Sequence, residues 1–136
     1  FISKRWSLKM IMNKSLQGLV SYVQGHSAEK AVAKMLRRQG YKIIAQNVSA
    51  PRGVGANELD IVAMDHYTLV FVEVKKRATL EMAMQTIDPA RRRRLYKAAE
   101  LFLANNPQYA DKACRFDVIA LDDDENMEHL QNVIEG

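Results

Sequence analysis

The stretch that decides the fold runs Glu58-Leu59-Asp60-Ile61-Val62-Ala63-Met64, Asp65-His66-Tyr67-Thr68, Leu69-Val70-Phe71-Val72-Glu73-Val74-Lys75-Lys76. Two β-rich runs flank four turn-forming residues, which predicts antiparallel strands joined by a tight hairpin. Side chains alternate along a strand. In the first run, Glu58, Asp60 and Val62 are expected on one face, with Leu59, Ile61 and Ala63 on the other. In the second, Val70, Val72 and Val74 form an apolar face, opposite Leu69, Phe71, Glu73 and Lys75. A turn centred between His66 and Tyr67 places Asp60 opposite Glu73 and Glu58 opposite Lys75.

Working outward, Tyr41 to Val48 reads as a preceding strand, and Pro51, Gly53 and Gly55 mark the loop after it. Ala28, Val32, Met35 and Leu36 recur at helical spacing, predicting a helix from about Ser27 to Gln39 stopped by Gly40. Downstream, Asp88-Pro89 is a helix start, with Asp88 as N-cap and Pro89 in the first turn. Leu95, Ala98, Ala99, Phe102 and Leu103 make its apolar face, and Asn105, Asn106 and Pro107 end it. Ala113 to Leu121 is a fourth strand, and Met127 to Ile134 a weaker fifth. The order predicts an α/β fold with a mixed β-sheet flanked by helices. Residues 1–24 read as a lead-in helix or extension, and 25–136 as a single domain.

The chain has 136 residues, enough to bury a core without disulfides or structural metals. Its 20 Lys and Arg against 16 Asp and Glu leave a mild excess of positive charge. The excess is unevenly placed. No acid precedes Glu29, Arg91, Arg92, Arg93 and Arg94 are consecutive, and acid gathers at Asp122 to Glu125. That asymmetry suits a polyanionic partner. The one cysteine, Cys114, excludes an internal disulfide and a cysteine zinc cluster, and fits a reducing cytoplasm. No apolar run reaches the roughly 18 residues of a membrane span.

Two facing carboxylates in mid-sheet repel each other and require compensation. A divalent cation is the simplest candidate, because Mg²⁺ takes carboxylate oxygens and keeps waters for a phosphate substrate. Such an ion on Asp60 and Glu73 would polarise a scissile phosphate and acidify a water. Lys75, two residues on, would orient that water and stabilise developing charge. The plainer alternative is a polar sheet face with Glu58–Lys75 and Glu73–Lys75 ion pairs, which contribute little.

The acid-x-acid strand followed by Glu-x-Lys resembles the PD-(D/E)XK nuclease superfamily. The closer similarity is to its uncharacterised YraN-like family. It runs from about Gln24 to the C-terminus, through Gly25-His26-Ser27-Ala28-Glu29, Arg38-Gln39-Gly40-Tyr41, Asn57-Glu58-Leu59-Asp60, Val70 to Arg77, Asp88-Pro89-Ala90-Arg91 and Arg115-Phe116-Asp117-Val118. The resemblance implies a restriction-endonuclease-like core with Asp60, Glu73 and Lys75 as catalytic trio, and Mg²⁺ or Mn²⁺ as cofactor. It implies Glu29 and Glu58 as further metal ligands. Asn57 stands where the family motif has Gly, and Arg91 where the family has Lys, which keeps the charge but loses any role for a neutral amine. Lys76, Arg77 and Arg91 to Arg94 are the expected nucleic-acid contacts, with DNA favoured over RNA. Resolvase-like activity would favour a homodimer. A non-catalytic nucleic-acid-binding protein with the same fold is the main alternative, and an interaction module without nucleic acid the second.

Among the remaining residues, His26, His66 and His129 lack metal-ligand spacing and read as surface. Cys114 alternates with Phe116 and Val118 and reads as core. Arg115 and Asp117 share a strand face and read as a structural pair.

Overall fold

A computed structural model of the chain describes residues 2–7, 28–51, 53, 58–86, 88–124 and 126–133. The elements are β1 (Ile2–Ser7), α1 (Ala28–Arg38), β2 (Lys42–Val48), β3 (Leu59–Asp65), β4 (Thr68–Lys76), α2 (Leu80–Met84), α3 (Pro89–Asn105), a 3₁₀ turn (Pro107–Tyr109), β5 (Ala113–Leu121) and β6 (Asn126–Gln131). The strands form one six-stranded sheet in the order β1-β6-β5-β4-β3-β2. Among the described strands only β4 and β5 pair in parallel, joined by a crossover through α2 and α3. The result is an α/β fold with a mixed sheet, compatible with a restriction-endonuclease-like core.

The central hairpin forms in the expected register, from Asp65↔Thr68 to Ile61↔Val72. Its two-residue turn needs positive φ, which His66 supplies at 56°. Gly40 ends α1 at φ 93°, where a side chain would be strained. Asp88 caps α3 by accepting from Arg91 N–H at 2.8 Å, as its position before Pro89 predicts.

Among the described residues, a core packs on each face of the sheet. On one face α1 sets Val32, Met35 and Leu36 against Ile61, Ala63, Val70, Val72, Val74, Ile119 and Leu121. On the other, α3 sets Leu95, Ala98, Ala99 and Phe102 against Leu59, Val62, Leu69, Phe71 and Phe116. Phe71 is the aromatic centre of that face, edge-on to Phe102 at 5.9 Å and stacked on Phe116 at 5.2 Å. Each large side chain so enclosed contributes roughly 1.5–3 kcal/mol.

Two elements depart from the sequence reading. Ile2–Ser7, expected to open a lead-in helix or extension, is a strand paired antiparallel with β6 along its whole length. Pairing along β6 outweighs the weak local pattern. The remainder of that lead-in, with His26, lies outside the described residues. The short helix α2 has no counterpart among the expected elements. Thr79 starts it, its side chain accepting from Met82 N–H at 3.2 Å.

Candidate active site

The alternation that shapes β3 breaks at Asp60. Ile61 and Ala63 pack toward α1 and Val62 toward α3, as expected, but Leu59 also packs toward α3. Leu59 therefore does not share a face with Ile61, which corrects the expectation from strict alternation. The β3–β4 ladder has its last pair at Ile61↔Val72. Beyond it the Asp60 carboxylate takes the place of a backbone partner, accepting the Val74 N–H at 2.8 Å. The divergence leaves Asp60 half-buried at the mouth of the hairpin.

Glu73 is 4% exposed. Its Oε1 accepts from Arg91 Nη2 at 3.1 Å and lies 3.6 Å from Lys75 Nζ. Its Oε2 is buried with no hydrogen-bond partner. The Asp60 and Glu73 carboxyl groups lie within hydrogen-bonding reach of each other. Burial, then the hydrogen bond and charge of Glu73, push the Asp60 carboxyl up to about 8, with Glu29 adding to the rise and the Val74 N–H opposing it. Like charges held this close favour the protonated form of Asp60.

Of the other expected ligands, Glu29 sits half-buried in the first turn of α1, close enough for its charge to act on Asp60. Glu58 is exposed, and the ion pair expected between it and Lys75 does not form; Lys75 turns to Glu73 instead. The broken alternation explains this, because Glu58 precedes the irregular step. Among the described residues no three His, Cys, Asp or Glu side chains are close enough to hold an ion by themselves. The structure thus brings Asp60, Glu73 and Lys75 together, keeps Glu29 within electrostatic range and leaves Glu58 outside.

The arginine run of α3 divides. Arg91 turns inward to Glu73, Arg92 and Arg93 are exposed, and Arg94 is half-buried. Lys76 is half-buried and Arg77 exposed, at the end of β4 beyond Lys75.

A second polar cluster lies on the α1 face of the sheet. Arg115 grips both oxygens of Asp117 (2.9 and 3.0 Å) and also bonds Asp65 at 3.1 Å and the Tyr41 hydroxyl at 3.0 Å. Burial alone would raise the Asp117 carboxyl. His129 Nε2 at 2.7 Å, Arg115 and the Asn132 N–H outweigh burial and hold it below the usual range. The structural pairing of Arg115 with Asp117 is as read from their shared strand face. His129, read as surface, is 1% exposed, bonded to Asp117 and packed near Tyr41 in this cluster. Cys114, read as core, is exposed at the uncovered start of β5. Without β1, β6 looks like an edge strand, so the sequence carries no signal for a buried histidine there.

No helix among the described residues is long and apolar enough to cross a membrane. In comparison with known proteins, the UPF0102 protein of Azorhizobium caulinodans is 40% identical over 115 residues, covering 85% of both chains. That of Paramagnetospirillum magneticum is 43% identical over 96 residues, covering 71% of this chain and 74% of its own. That of Pseudomonas entomophila is 44% identical over 99 residues, covering 71% and 77%. The model of "Uncharacterised protein family UPF0102" matches residues 28–121, which include every residue of the Asp60–Glu73–Lys75 site. With its fold, its site and these likenesses in agreement, the chain belongs to the uncharacterised family UPF0102.

Proposed function

We propose that this protein is a metal-dependent hydrolase of nucleic-acid phosphodiester bonds, of the PD-(D/E)XK type. One observation carries the reading. Asp60 and Glu73 lie within hydrogen-bonding reach at a strand divergence, with a buried Glu73 oxygen that no N–H donor of the protein reaches. Such an arrangement is destabilising in itself, and functional sites are where proteins tolerate it.

The donor set fits a hard divalent cation. Mg²⁺ is held by one or two carboxylates, with water and substrate phosphate completing its shell, so a third protein ligand is not required. Asp60 and Glu73 would hold it, and when bound it supplies a Lewis acid for the scissile phosphate. Lys75, with its side chain 12% exposed, presents its ammonium beside Glu73. There it holds the attacking water and stabilises the charge that develops on phosphate oxygens. The Val74 N–H fixes Asp60 in place. Arg92 and Arg93, exposed on α3, and Arg77 supply sequence-independent grip on the backbone.

The test is incubation with single-stranded, duplex and branched DNA, and with RNA, in Mg²⁺, Mn²⁺ or EDTA. Metal-dependent cleavage lost in both Asp60→Ala and Lys75→Ala is expected. Salt-sensitive binding without cleavage would assign the second reading, a non-catalytic nucleic-acid-binding protein. The exposed position of Glu58, outside the carboxylate pair, favours that reading. No binding to any substrate would defeat both.

A further inference from the structure

Arg91 differs from the arginines that follow it. Its Nη2 bonds Glu73 Oε1 at 3.1 Å, its side chain is 27% exposed, and its Nε is buried with no hydrogen-bond partner. A guanidinium beside a carboxylate commonly makes two parallel bonds. Here one forms, leaving the buried Nε of Arg91 without an acceptor and the buried Oε2 of Glu73 without an N–H donor. The two atoms suit ligands of opposite sign: Oε2 can still take a cation, and Nε can still donate to an anion.

We propose that Arg91 is the counter-ion of Glu73 in the metal-free protein, and that it transfers to a nucleic-acid phosphate when a divalent cation takes its place. This rests on the metal-dependent reading above. A guanidinium and a divalent cation repel each other across one carboxylate, so occupancy by the second favours departure of the first. The move needs only the side chain. The Arg91 backbone is fixed in the first turn of α3 by the Asp88 cap, and Arg92 and Arg93 beside it are exposed. A phosphate backbone crossing that end of α3 would meet the released fork. Arg91 is thus a positioning residue that couples metal binding to nucleic-acid binding, and the coupling is reciprocal.

Calorimetric titration of Mn²⁺ into the protein without nucleic acid tests this directly. Arg91→Met should bind Mn²⁺ roughly tenfold more tightly than the unaltered protein, about 1.4 kcal/mol. Arg91→Lys, which keeps the charge, should stay close to the unaltered protein. Should Arg91→Met fail to fold by circular dichroism, Arg91→Gln carries the same expectation. In a Lys75→Ala background, the salt dependence of DNA binding should steepen by about one phosphate contact in Mg²⁺ relative to EDTA, and this change should vanish when Arg91→Met is added. Mn²⁺ binding that is unchanged or weaker in Arg91→Met overturns the exchange while leaving the metal site standing. No Mn²⁺ binding by the unaltered protein at millimolar concentration overturns both.

Discussion

Replacing Asp60 by Asn should stabilise the metal-free protein and abolish its metal binding. The introduced asparagine can still accept the Val74 N–H through its oxygen, and its amide can donate to Glu73, so both contacts of the native carboxyl persist. What disappears is the charge. Burial and the neighbouring Glu73 push the Asp60 carboxyl up to about 8 from its ordinary 3.8. Between those values the folded state holds a proton that the unfolded chain releases, so the contribution of Asp60 to native stability falls as pH rises from about 4 to about 8 and then levels off. Asn does not titrate. Its advantage is therefore close to zero near pH 4 and greatest above pH 8. At about 1.4 kcal/mol per pH unit, the limit at pH 7 is about 4 kcal/mol. Partial exposure of Asp60 to solvent reduces this to about 2–3 kcal/mol. In a domain of this size that raises the melting temperature by about 10 °C at pH 8. Thermal melts of both proteins in EDTA at pH 4.5 and pH 8 measure it. An Asp60→Asn protein that melts no higher than the native one at pH 8, or that gains equally at both pH values, would refute the apposed-carboxyl argument.

Other expectations follow from the same geometry. Lys75→Ala should lower cleavage by about 10²–10³-fold in single-turnover assays while leaving Mn²⁺ affinity within a few-fold, because Lys75 stabilises charge and holds no metal. Arg115→Met should destabilise by about 1.5–3 kcal/mol in urea, since it removes two charged hydrogen bonds from the buried Asp117, which keeps His129 and the Asn132 N–H, yet leave Mn²⁺ binding at Asp60 and Glu73 unchanged. Phe102→Ala should lose about 3–5 kcal/mol by emptying the space against Phe71 and Tyr109 under α3. Arg92→Ala and Arg93→Ala should each reduce the salt slope of DNA binding by about 1, measured by fluorescence anisotropy.

Much of the fold is legible in the sequence because it is local. The hairpin from Leu59 to Lys76 is coded by β-rich runs around a short turn, and its register follows from where the turn sits. Asp88-Pro89 fixes the start of α3 through one side-chain bond. The juxtaposition of Asp60 with Glu73 lies one step past the last ladder pair, Ile61↔Val72, where the Asp60 side chain bonds the Val74 N–H. What is not legible depends on distant partners. The strand Ile2–Ser7 exists through its pairing with β6, at the far end of the chain. His129 is buried against Asp117 on a neighbouring strand, and no local pattern announces it. The displacement of Leu59 toward α3 and the exposure of Glu58 come from the divergence of β3 from β4, which strict alternation does not anticipate. By sequence, Arg91 groups with its neighbours as a backbone contact. Only its placement near Glu73, across two elements, shows it facing the carboxylates.

The most direct test of the Asp60–Glu73 site is a crystal of the protein equilibrated with Mn²⁺ and examined by anomalous scattering. The account predicts a single strong peak bonded at about 2.1 Å to oxygens of both Asp60 and Glu73, with Arg91 withdrawn from Glu73. No peak there at saturating Mn²⁺, with the Arg91–Glu73 bond intact, would contradict it.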